Sequence, residues 1–167
     1  MAWDKHNRYT IHVDLDKRSI ERAIGEIKAY EADLYEKIDE FTRRLAEYGL
    51  EFAQHRIIDY GAVDTGELYR SMNMKRGDVI PNGSQWIIFT DCPYAQYVEF
   101  GTGPVGAASP HPSGYNVYHP TGWNYWNERA SRWQHTNGMR SRPFMWDTRQ
   151  YITQDKIIRE VAKEVFG

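Results

Sequence analysis

The alternation of apolar and polar positions changes period three times along the chain. From Arg8 to Leu15 the residues alternate, with Tyr9, Ile11, Val13 and Leu15 on one side and Thr10, His12 and Asp14 on the other. A period of two predicts a strand with one buried face, or an extended arm over residues 1–15 that pairs with a neighbour. The period then lengthens. Ile20, Ile24, Ile27, Leu34, Ile38, Phe41, Leu45, Tyr48 and Phe52 recur at spacings of three and four, with Glu31 as the one miss. This predicts a long amphipathic helix from Lys17 to Ile58, with Asp16 or Ser19 as its N-cap and a bend near Gly25 or Tyr30 to Asp33. The stripe is as narrow as a coiled-coil seam, yet few heptads are clean, so packing on the domain's own sheet is favoured over pairing with another helix.

Beyond Tyr60 the signals are turns and short elements. Asp64-Thr65-Gly66 reads as a tight turn and Glu67 to Lys75 as an extended segment. Gly77-Asp78 and Pro81-Asn82-Gly83 mark a reversal. Gln85 to Thr90, rich in β-branched and aromatic residues, completes an antiparallel pair. Pro93 opens a short helix through Phe100, and Gly101 ends it. Thr102 to Ser141 shows little periodicity, and its aromatics (Tyr115, Tyr118, Trp123, Tyr125, Trp126, Trp133) are too many for a solvated linker. It reads as a long loop or insertion, at about 103–141, that folds on the domain surface or on a partner. Asp147 to Phe166 predicts a last helix with Ile157, Ile158, Val161 and Val165 inward and an Asp147/Gln150 capping box. The expectation is a single α+β domain over residues 16–167, preceded by the arm.

Composition adds interfaces to this picture. Aromatics are 14% of the chain, with 12 Tyr and 6 Trp, and both types are enriched where proteins meet. The net charge of −2 implies no global attraction to nucleic acid or anionic membrane. The single Cys92 excludes an internal disulfide and fits a reducing cytoplasm. Met1 to Asp14 lacks a continuous apolar core, so no secretory signal is expected, and no apolar run is long enough to span a bilayer. From Asp14 to Glu51 there are eleven Asp or Glu against seven Lys or Arg, which reads as a solvated acidic face.

Candidate chemistry is sparse. Asp64-Thr65-Gly66 matches the triplet that carries the catalytic carboxylate of aspartic proteases, where two such residues share a proton. Those enzymes set the triplet after a hydrophobic strand, whereas here Tyr60-Gly61-Ala62 precede it and Glu67-Leu68 follow, which favours a turn. His111, His119 and His135 lack metal-ligand spacing, and neither a nucleophile elbow nor a phosphate loop is present. No cofactor is expected. Arg129, Arg132, Arg140 and Arg142, with Trp133 and His135 and no acidic residue between Arg129 and Arg142, form a basic patch. It suits phosphates with Trp133 stacking, or the acidic helix of another subunit, and the protein partner is favoured.

Three segments in order resemble the tail-completion family, the minor tail or head–tail joining proteins of long-tailed bacteriophages. They are Val63-Asp64-Thr65-Gly66 with Leu68, Ser71 and Met72; Tyr94-Ala95 with Tyr97, Val98, Glu99, Phe100, Gly101 and Thr102; and Arg142-Pro143-Phe144-Met145 before the last helix. The resemblance covers about residues 20–166, with 103–141 as an insertion longer and more aromatic than the family's. It implies a small, non-enzymatic α+β virion protein made in the host cytoplasm. Copies of it would form a homo-oligomeric ring, a hexamer from the family's setting, against tail terminator, tail tube or head-connector proteins, with DNA in the lumen. Within that frame Arg142 is expected to pair with Glu99 or Asp64, joining distant motifs. The rival expectations are a transient assembly factor, a DNA-contacting module and, last, an aspartic protease.

Overall fold

A computed structural model describes residue 11 and residues 13–78, 80, 83–115, 121–127 and 129–167. The architecture is α+β: a long N-terminal helix, two small antiparallel two-stranded sheets, short helices and a C-terminal helical pair. Half of the expected Arg8–Leu15 strand (Arg8, Tyr9, Thr10 and His12) lies outside the described residues, as do Tyr118, His119, Pro81 and Asn82; of that strand, Ile11, Val13, Asp14 and Leu15 are described and none is in a strand.

Helix α1 runs Lys17–Asp59. Asp16 caps it as expected, its Oδ1 accepting from the N–H groups of Arg18 and Ser19 at 3.0 Å each, which satisfies two donors that the first turn leaves without partners. The helix is unbroken through Gly25 and Tyr30 to Asp33.

Two adjacent faces of its C-terminal half are covered. A small-residue face (Ala46, Gly49, Ala53) leading to Ile57 is buried. A Cβ at Gly49 would stand 2.6 Å from Ile88 Cδ1 and 3.1 Å from Ile152 Cγ2, so a missing side chain is what lets a strand and a later helix close on α1 here. The larger apolar residues beside this face meet the C-terminal helices. Phe52 stacks on Tyr151 with centroids 4.1 Å apart, Phe41 lies against Phe166, and the Tyr48 hydroxyl donates to Glu164. The N-terminal half differs. Ile20, Ile24, Ile27 and Leu34 stay 36–52% exposed, so the expected packing of the whole stripe on the domain's own sheet fails there.

Residues Glu67–Ser71 form helix α2, and only Met72–Arg76 is strand β1, which corrects the extended reading of Glu67 to Lys75. Gly66, at φ 77°, turns the chain into α2, and Ser71 bonds Thr90 across the start of the sheet. β1 pairs antiparallel with β2, Trp86–Thr90, in the register Met72↔Thr90. Asp39 of α1 holds this sheet down, accepting from Ser84, from Trp86 Nε1 at 3.2 Å and from Arg76 at 3.2 Å. The Ser84 hydrogen bond, with those of its other partners, keeps the Asp39 carboxyl below its ordinary range despite desolvation.

Helix α3, Ala95–Phe100, follows, with Gly101 at its end as expected. The supposed loop is more regular than its composition suggests. It contains helix α4, Gly103–Ala108, and a hairpin of β3, Trp123–Asn127, with β4, Arg132–Thr136. The last helix divides into α5, Phe144–Ile152, and α6, Asp155–Phe166. At the break the Thr153 hydroxyl bonds back to the carbonyls of Arg149 and Gln150. Because α5 begins at Phe144, Asp147 is no N-cap. Its carboxylate instead accepts from Arg56 Nε and Nη2 at 2.8 and 2.6 Å and from the Tyr60 hydroxyl at 2.7 Å, bolting α5 to the end of α1.

Candidate functional site: three converging motifs and an exposed hairpin

The three segments singled out in the sequence meet in one core. Leu68 from the first, Ala95 and Val98 from the second and Phe144 from the third are all buried in a cluster with Ala53, Ile57, Met72 and Cys92. Phe144, 1% exposed, fills the centre, and the chain delivers it there through a tight turn at Pro143 (φ −79°, ψ 63°) in which the Phe144 N–H donates to the Arg142 carbonyl at 2.8 Å. The backbone N–H of Arg142 donates to the Val98 carbonyl at 2.9 Å, tying the third segment to the second.

The polar centre of this junction is Glu99, which is buried. The N-cap position of α5 is Pro143, which supplies no side-chain cap. Glu99 takes that place from another element: Oε2 accepts from the Met145 N–H and Oε1 from the Trp146 N–H, both at 2.9 Å. A carboxylate there satisfies otherwise orphaned donors and faces the positive end of the helix dipole. Oε1 also meets His111 Nε2 at 3.1 Å. The other ring nitrogen of His111 accepts from the Ser113 N–H at 3.1 Å, which places the ring proton on Nε2, donating to Glu99. The Glu99 carbonyl accepts from the buried Ser141 hydroxyl at 2.7 Å. Phe100 and Trp146 pack against the His111 ring. His111 thus serves as a structural donor 3% exposed, a role its isolated place in a Pro-rich stretch did not signal.

The expected pairing of Arg142 with Glu99 or Asp64 is not made. Glu99 is engaged instead by His111 and two backbone donors, and Asp64 is exposed and pairs with Arg129 at 3.1 Å. The Nε of Arg142 is buried with no hydrogen-bond partner among the described residues. Arg142 instead lines a surface groove with Val63, Asp64, Thr65, Tyr94 and Val98, so all three segments border one depression. Burial pushes the Tyr94 phenol above its ordinary pKa.

Asp64-Thr65-Gly66 turns the chain, as expected. Thr65, rather than Asp64, accepts from a nearby backbone donor, the Glu67 N–H at 3.3 Å, and the Thr65 carbonyl accepts from Arg70. The Asp64 carboxylate points outward to Arg129.

The basic patch is built on the β3–β4 hairpin. Its base is tied down by backbone bonds between Thr102 and Met139, where Gly103 and Gly138 take positive φ and let two backbones cross in contact. At its tip Arg129 makes a solvent-exposed ion pair with Asp64. Trp126 and Trp133 face each other across the strands, with centroids 5.9 Å apart and edge to face. They are 50% and 69% exposed. Arg132 lies on the opposite face from Trp133, and Arg140 follows the hairpin on the surface.

These features define an α+β domain whose recognisable segments form its core and whose outer face carries an aromatic, arginine-rich hairpin. No protein-family model matches the chain, and neither a curated protein nor a solved structure is significantly similar to it. Among the described residues no helix is long and apolar enough to cross a membrane, and no cluster of three or more His, Cys, Asp or Glu is placed to hold a metal ion.

Proposed function

We propose that this chain is a non-enzymatic structural component of the head–tail junction of a long-tailed bacteriophage, assembled as a ring of identical copies around the passing DNA. The observation that carries this reading is the convergence of the three family-like segments on a single packing junction. Leu68, Val98 and Phe144 share the core, and Glu99 caps α5 across it. Residues spent on core contacts and on backbone satisfaction are residues that build a scaffold. Large apolar side chains are exposed on the hairpin and on the N-terminal half of α1, among other places, as on subunit-contact surfaces.

Removing the gene from its phage or prophage tests the proposal. The expected result in electron micrographs is DNA-filled heads and finished tails that fail to join, restored by supplying the chain in trans. Normal numbers of joined, infectious particles without the chain would refute it. If joining fails without the chain but purified particles contain none of it, the role is that of a transient assembly factor.

A further inference from the structure

We draw no further inference here: the strongest candidate, the surface groove in which Arg142 meets Val63, Thr65 and Tyr94, belongs to the motif junction already described, its unbonded Arg142 Nε is buried out of a ligand's reach, and Asp64 and Glu67 line it beside the arginine, so nothing in the structure shows what would occupy it.

Discussion

Glu99 shows how one buried carboxylate holds distant parts of the chain together. It takes donors from α5 and from His111, elements that are 12 to 47 residues away. Replacing it with Gln keeps the shape but sets an amide N–H against a backbone donor, leaving a buried group unmade at a cost of about 1–3 kcal/mol. A double-mutant cycle between Glu99→Gln and His111→Phe should show coupling in thermal or denaturant unfolding; strict additivity would mean that the two do not interact in the folded state. The sequence marked Glu99 as part of a motif but suggested the wrong partner. Pairing by formal charge pointed to Arg142, because backbone N–H groups at a helix start carry no sequence label and His111 stands in an aperiodic stretch. Leu68, Val98 and Phe144 were easier to read, since apolar residues inside short motifs have few roles besides packing.

At the scale of elements, α1 and its Asp16 cap were legible because a helical period and a cap are local signals. Helix α2 was not, since five residues are too few to display a period and Met72 to Arg76 pulled the reading toward a strand. The α5–α6 break was hidden because an apolar period carries across Thr153 and Gln154. Asp147 looked like a cap, yet its role is the tertiary bolt to Arg56 and Tyr60. That bolt has a pH signature. Burial, with the Asp147 hydrogen bond, raises the Tyr60 pKa above its ordinary value. A raised folded-state pKa gives stability that is fully present below the unfolded value of about 10 and is lost as pH climbs through the folded one. Tyr60→Phe should therefore lower stability by about 1 kcal/mol at neutral pH through the lost hydrogen bond. It should also flatten the alkaline decline in melting temperature. An unchanged alkaline slope would show that Tyr60 does not carry that linkage.

Over the whole molecule, the two halves of α1 differ: Ser19 and Ala23 are buried in the N-terminal half, but its larger apolar residues Ile20, Ile24, Ile27 and Leu34 are not. The core, the three motifs and the hairpin gather toward the C-terminal end of α1, and the aliphatic ridge is carried at the other. The sequence analysis read the ridge as domain packing because periodicity reports that a face is apolar and says nothing of what covers it. The aromatic stretch was expected to fold on the domain surface or on a partner, and its hairpin was missed, since the strands Trp123–Asn127 and Arg132–Thr136 place aromatic and polar residues on both faces. The proposed ring calls for copies that are few and fixed by symmetry. Quantitative mass spectrometry of purified particles tests that account most directly. It predicts a few copies of this chain per particle, in constant ratio to the head and tail proteins and far below the capsid and tube subunits. Complete absence from intact, infectious particles would contradict it.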